Sequence, residues 1–232
     1  MPDPVFIFML TRHDRTVPEP LPLAREALEA GVRHIGFKDQ GATPEVLAAL
    51  VKTIREAGAA SYLEVVSLDE ASEVASAELA LRLGVDNLLG GVRPRALAAM
   101  LGGRSLRYFP FAGRVASHPS VLLGAPDEIA ASAAEIAALP HVDGLDLLAY
   151  RSDGDPAGIM RAVCAAIGKP VIVAGSIDRP DQVRALREAG AWGFTVGTAA
   201  IDGVFPANAS ALAAQLAAIE TARRGWSRHP RE

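Results

Sequence analysis

Three charged residues stand where a buried strand should be apolar. In the segment His34–Lys38, Ile35 and Phe37 form one face, so Gly36 and Lys38 take the other. In Ser61–Val66, Leu63 and Val65 form one face and leave Tyr62, Glu64 and Val66 on the other. In Gly144–Tyr150, the apolar set Leu145, Leu147 and Ala149 leaves Asp146, Leu148 and Tyr150 opposite. A charge inside a strand buried on both faces needs a partner or a function. An ammonium flanked by carboxylates in a partly dry cavity can move protons. The carboxylates hold the lysine charged, or burial lowers its pKa so that it acts as a base. Lys38, Glu64 and Asp146 are therefore the candidate catalytic residues. A buried Lys–Glu pair that serves only itself is the competing explanation.

A second pattern lies near the C-terminus, in VIVAGSIDRPDQVRALREAGAWGFTVGTAAI (Val171–Ile201). An apolar run stops at Gly175-Ser176, a helix pattern follows and ends at Gly190, and a second apolar run stops at Gly197-Thr198. A glycine turn after a strand lets backbone N–H groups approach an anion closely. Two such turns on neighbouring parallel strands can share one phosphate, which makes Gly175, Ser176, Gly197 and Thr198 candidate phosphate ligands. The bland alternative is that both glycines only permit tight turns. Arg12, in Thr11-Arg12-His13-Asp14-Arg15 after the first strand, and Arg114, in the long connection Ala112–Ala125, are added as anion contacts. His13 and Asp14 have the types of an acid/base pair. His118, Arg93 and Tyr150 are further candidate contacts, each with an equally good packing or solvated-loop explanation. Asp39 is expected to bond local backbone.

The elements that must position these residues alternate along the chain. Strand patterns fall at Val5–Leu10, His34–Lys38, Ser61–Val66, Asn87–Gly90, Arg107–Phe111, Gly144–Tyr150, Val171–Gly175 and Gly193–Gly197. Helix patterns separate them, and a last one covers Ala209–Arg223. Several helices open with proline after a capping residue, as Thr43-Pro44 and Asp155-Pro156 do, where the missing N–H costs nothing. Eight strand–helix repeats in 232 residues predict one domain, a single (β/α)8 TIM barrel. No strand is followed by a dinucleotide fingerprint, which counts against an open doubly wound sheet. The long connection Ala112–Ala125 is a candidate lid.

Composition excludes other classes. Half the residues are hydrophobic, and the net charge of −4 has no block of one sign, so no nucleic-acid partner is expected. No apolar run reaches the roughly 18 residues of a membrane span, so no membrane partner is expected, and no signal peptide is visible. The lone Cys164 fits a reducing compartment, which gives a cytoplasmic expectation; its surroundings read as a buried helix face. Arg223, Arg224 and Arg228 read as a solvated tail, and His34, His141 and His229 lie away from the active rim. The histidines are scattered, and neither a metal-ligand spacing nor a Gly-x-Ser-x-Gly elbow occurs. A Mg²⁺ on Glu64 and Asp146 is the one metal arrangement left open, and the expectation is neither metal nor cofactor. The apolar C-terminal helix offers a surface for a homodimer.

The Val171–Ile201 stretch resembles the last quarter of the ribulose-phosphate-binding barrel superfamily. It is most similar to the N-acetylmannosamine-6-phosphate 2-epimerase family and to the histidine- and tryptophan-pathway isomerases. That resemblance implies that Gly175, Ser176, Gly197 and Thr198 hold a substrate phosphate. It matches Lys38, in Gly-Phe-Lys-Asp, to the epimerase family's lysine at the end of strand two. The chain departs from these families elsewhere. Ala174-Gly175 stands where the epimerases carry a strand-seven glutamate. Thr11-Arg12 stands where the isomerases carry a strand-one acid/base, and Asp14 is displaced from it. Strand five offers Arg114 but no aspartate, and the Asp-x-Lys-x-x-Asp array of the decarboxylases is absent. The chain thus reads as a separate branch built on Lys38, Glu64 and Asp146. Its expected activity is isomerase or epimerase on a small phosphorylated sugar or related metabolite. The alternatives are a carbon–carbon lyase with a Lys38 Schiff base, and a binding protein for a phosphometabolite without catalysis.

Overall fold

The structure, a computed structural model, describes residues 2–225; Arg228 and His229 lie outside the described residues. Eight parallel strands form one sheet: β1 (Val5–Met9), β2 (His34–Lys38), β3 (Ala60–Val65), β4 (Asn87–Gly90), β5 (Arg107–Phe109), β6 (Leu145–Leu147), β7 (Val171–Val173) and β8 (Gly193–Val196). The spatial order is β6-β7-β8-β1-β2-β3-β4-β5. Between β5 and β6 the ladder shrinks to a bridge between Phe111 and Asp146. There Asp146 N donates to Pro110 O at 2.9 Å, and Ala112 N donates to Asp146 O at 2.9 Å. These bonds bring the two edges together, and the result is a (β/α)8 barrel.

The helices are α1 (Pro20–Glu29), α2 (Pro44–Glu56), α3 (Glu70–Leu83), α4 (Pro94–Leu101), α5 (Pro126–Ala137), α6 (Pro156–Ala166), α7 (Pro180–Glu188), the single turn α8 (Thr198–Ile201) and α9 (Leu212–Arg224). Six of them open on proline, as the sequence predicts. Asp155 caps α6 by accepting from Ala157 N and Gly158 N, both at 3.0 Å, and Asp69 caps α3 by accepting from Ser72 N at 2.9 Å. Each cap satisfies helix N–H groups that have no intrahelical partner.

Alternation sorts the strand side chains into two cores. The larger lies between sheet and helices. The smaller fills the barrel interior with Ile7, Met9, Tyr62, Leu89, Phe109 and Ile172. Small residues make room for the large ones: Met9 Sδ occupies the space a side chain on Gly36 would take, and a Cβ on Gly144 would meet the Phe109 ring at 2.6 Å. Phe109 also stacks on Trp192, centroid to centroid 6.4 Å. This plug fills the N-terminal part of the barrel and leaves the next layer to polar groups.

Three local differences from the expected elements matter. Strand six stops at Leu147, and Ala149–Arg151 form a helical turn, so Tyr150 does not sit on a strand and Leu148 joins the outer core. The connection Ala112–Ala125 is not irregular: Arg114–Ala116 pairs antiparallel with Val121–Leu123. The first β-to-α connection also folds into a hairpin, Thr11–Arg12 against Arg15–Thr16, with His13 and Asp14 at its tip in the left-handed region. A two-residue turn twisting with its strands requires that conformation. No helix among the described residues is long and apolar enough to cross a membrane.

Truncating the interior plug tests the packing. Phe109→Ala is expected to cost about 3–5 kcal/mol in denaturant unfolding with little change in slope. A loss below about 1 kcal/mol would show that the ring is not packed inside the barrel.

Candidate active site

Register decides which charges meet. β2 and β3 pair Gly36 with Tyr62 and Lys38 with Glu64, so ammonium and carboxylate are neighbours on the inner face of adjacent strands. Lys38 Nζ donates to Glu64 Oε1 at 3.1 Å. It also donates to Asp14 Oδ1, which reaches inward from the hairpin tip. Lys38 is 4% exposed, Glu64 3% and Asp14 4%. Asp14 Oδ1 further accepts from Arg151 Nη1 at 2.9 Å, and its Oδ2 accepts from Ser120 N at 3.1 Å. One carboxylate thereby joins the first hairpin, the second hairpin and the turn after β6.

The charge states follow from these contacts. Burial works to lower the Lys38 pKa, but the Glu64 and Asp14 carboxylates outweigh it and raise it, so the lysine stays an ammonium. Burial works to raise Asp14, but the Lys38 and Arg151 charges prevail and hold it at about 2. Asp146 is the opposite case. It is 0% exposed, neither carboxyl oxygen has a hydrogen-bond partner, and burial, with the Glu64 charge added, lifts it well above the ordinary carboxyl value. Its surroundings favour the protonated form of the carboxyl.

Above this layer opens a cavity of about 720 Å³ at the C-terminal end of the strands. Lys38, Glu64 and Asp14 form part of its floor. Gly175 and Ser176 after β7, and Gly197 and Thr198 after β8, line the same cavity, as do His13, Ser120, Tyr150 and Arg151. β7 and β8 are paired neighbours, which brings the two glycine turns side by side. Gly175 and Ser176 both have positive φ, +80° and +56°. Gln182, at the start of α7, fixes that turn: its Oε1 accepts from Asp178 N at 2.8 Å and Arg179 N at 3.0 Å, and its Nε2 donates to Ser176 O at 3.1 Å. Thr198 Oγ1 donates to Thr11 O at 3.3 Å, tying the other turn to the first hairpin. Among the described residues, the N–H groups of Gly175, Ser176, Thr198 and Ala199 donate to no protein acceptor.

The sequence-derived candidates separate accordingly. Lys38 and Glu64 come together with the four turn residues around one cavity. Asp146 lies behind them and does not line it. Arg12 is at the rim, where its Nε donates to Asp202 Oδ1 at 2.5 Å, and Arg114 is exposed on the second hairpin; neither lines the cavity. Arg93 is occupied elsewhere, donating to Leu68 O at 2.8 Å and Glu73 Oε1 at 3.2 Å. Tyr150 donates its hydroxyl proton to Gln182 O at 3.2 Å, and burial pushes that hydroxyl up to about 12. Asp39 bonds farther than expected: Val66 N at 3.2 Å and the hydroxyls of Ser67 and Ser76 at 3.1 and 2.8 Å. Burial pushes the half-buried Cys164 thiol up to about 11, which removes it as a nucleophile. Arg151 is the residue that sequence reasoning missed. Its one signal was its place just past a strand end, beside a candidate. Among the described residues, no group of three or more His, Cys, Asp or Glu is placed to hold a metal ion.

No protein-family model matches the chain, and no curated protein matches it. Many solved structures share its fold. Phosphoribosyl anthranilate isomerase from Thermococcus kodakaraensis is 14% identical over 96% of this chain and 100% of its own, with a TM-score of 0.67. A mutant tryptophan synthase alpha-subunit from Pyrococcus furiosus is 15% identical over 94% and 98%, also at 0.67. FabK from Thermotoga maritima is 16% identical at a TM-score of 0.59, and this chain spans 59% of its length. The chain has the barrel fold of these proteins.

The raised pKa of Asp146 has a measurable consequence. Its folded pKa exceeds its unfolded one, so its contribution to stability is full below about pH 4 and fades as pH rises towards the folded pKa, by about 1.4 kcal/mol per pH unit. Asp146→Asn, which cannot ionise, is expected to match the wild type near pH 3 and to gain on it steadily above pH 4. Parallel stability curves for the two proteins in chemical denaturation would show Asp146 ionised in the fold.

Proposed function

We propose that the chain is an isomerase or epimerase of a small phosphorylated sugar or a related phosphometabolite. The observation that carries this reading is that one cavity is lined both by the two adjacent glycine turns and by the buried Lys38–Glu64 pair. The turns offer free N–H groups for a phosphate, and the floor offers an acid/base pair for the carbon skeleton.

The division of labour follows from the charge states. Lys38 is held as an ammonium, so it serves as the electrostatic partner and not as the base. Glu64 takes a proton from the carbon next to a carbonyl. The electron pair of that C–H bond moves to the carbonyl oxygen, and Lys38 stabilises the enolate oxygen in surroundings of low dielectric. Glu64 then returns the proton to the former carbonyl carbon while the proton of the adjacent hydroxyl passes to the enolate oxygen beside Lys38, which leaves the carbonyl on the neighbouring carbon and completes an isomerisation. In an epimerisation the proton returns to the opposite face, from a second group on the cavity wall, where His13 stands. Asp14, bonded to two cations and held at about 2, serves to fix Lys38 and not to carry protons.

The lyase reading ranks second on the same evidence of charge. A Schiff base begins from a neutral amine, and two carboxylates bonded to Lys38 oppose that form.

The test is hydrogen exchange at carbon in deuterated water with a panel of small phosphorylated ketoses and aldoses. Wild type is expected to label the carbon next to the carbonyl of its substrate. Lys38→Met and Glu64→Gln, checked for folding by thermal melting, are each expected to slow labelling by roughly 10²–10⁴-fold. Turnover unaffected by either substitution would remove that residue from the mechanism. Phosphate-ester binding without exchange by any protein would turn the reading into one of binding alone.

A further inference from the structure

Arg151 stands in the helical turn after β6 and lies across Gly175. A Cβ at Gly175 would come within 2.7 Å of Arg151 Nε, 2.8 Å of its Cδ and 2.9 Å of its Cγ. A side chain there would drive the arginine off the turn. The Arg151 side chain is 22% exposed and borders the same cavity as both glycine turns. Its Nη1 donates to Asp14 Oδ1, and among the described residues its other guanidinium N–H groups meet no protein acceptor. A guanidinium has five N–H donors in a fixed fork that suits phosphate oxygens, so most of this fork is unspent at the mouth of the site.

The surrounding charges require such a group. Asp153 and Asp178 also line the cavity. Asp178 is paired with Arg179 at 3.0 Å, whereas Asp153 has no ion-pair partner among the described residues. Backbone N–H groups alone would offer a phosphate dianion only partial positive charges beside these carboxylates. Lys38 is committed to Asp14 and Glu64. Among the described residues, Arg151 is the one other lysine or arginine that lines the cavity.

Resting on the reading above, that the glycine turns hold a phosphate, we propose that Arg151 is the side chain that recognises that phosphate and that Asp14 ties its occupancy to Lys38. Arg151 then makes the site select phosphate monoesters over the unphosphorylated compounds. Asp14 Oδ1 is shared between Arg151 Nη1 and Lys38 Nζ. An anion drawing on the guanidinium competes with Asp14 for it and leaves Asp14 more fully to Lys38. A filled phosphate site therefore tightens the hold on the lysine.

The probe is inorganic phosphate, titrated calorimetrically at low ionic strength into wild type, Arg151→Met and Arg151→Lys, with folding checked by thermal melting. Wild type is expected to bind, the methionine variant roughly 10- to 100-fold more weakly, and the lysine variant in between, because charge returns without the fork. Equal affinity in wild type and Arg151→Met overturns the role of Arg151 and leaves phosphate binding by the turns standing. Absence of binding to wild type at millimolar phosphate overturns both. A second measurement does not depend on the variants: saturating phosphate is expected to shift the Lys38 Nζ resonance of the wild type, and an unmoved resonance overturns the link through Asp14.

Discussion

The buried ammonium of Lys38 sets the terms for everything around it. A lone charge inside a barrel would lose its proton or open the structure to water. Here Asp14 and Glu64 each bond it, and burial together with the Glu64 charge favours the protonated form of Asp146, which works against a third negative charge in the layer. Breaking a buried pair by removing one member is strongly destabilising, because the survivor is left desolvated and alone. Asp14 reaches Lys38 only because its hairpin tip turns inward, and Ser120 N and Arg151 bond the same carboxylate. The loops of the active rim are therefore arranged around the charge balance of one lysine.

The other half of the site depends on a different constraint, the close approach of backbone. The barrel plug of Met9, Tyr62, Phe109 and Ile172 fills the interior below, and Met9 also borders the cavity. Gln182 uses its side-chain amide on both sides to shape the turn after β7, and Arg151 covers Gly175 where no side chain fits. Neighbouring strands then set that turn beside the one after β8. The arrangement lines one cavity with both glycine turns and the Lys38–Glu64 pair, as the proposed anchoring of a phosphate beside Lys38 and Glu64 requires.

Much of this was legible in the residues because period-two alternation is a local property. It put Lys38, Glu64 and Asp146 on the inner face, and strand pairing then brought the first two into contact. Proline starts and capping residues marked the helices for the same local reason. What stayed hidden depended on tertiary closure. Asp14 is a loop residue by sequence, and only the inward turn of its hairpin reveals that it is buried and bonded to Lys38. Arg151 follows a segment that reads as strand, yet the chain coils at Ala149–Arg151 and swings it over Gly175. The charge of Arg12 alone suggests an anion contact, whereas its neighbour in the fold, Asp202, is 190 residues away in the chain. Arginines on loops acquire their partners from distant segments, and no local pattern encodes them.

The most direct test of the account is the ionisation of Lys38 itself. Its side-chain Nζ resonance, assigned by comparison with Lys38→Met, can be followed by nuclear magnetic resonance from about pH 6 to 11. The account predicts an ammonium that persists to the ordinary lysine value of 10.5 or beyond. A lysine that loses its proton below about pH 8 would contradict it, because the side chain would then be a base or a nucleophile and not the fixed cation on which the proposed chemistry rests.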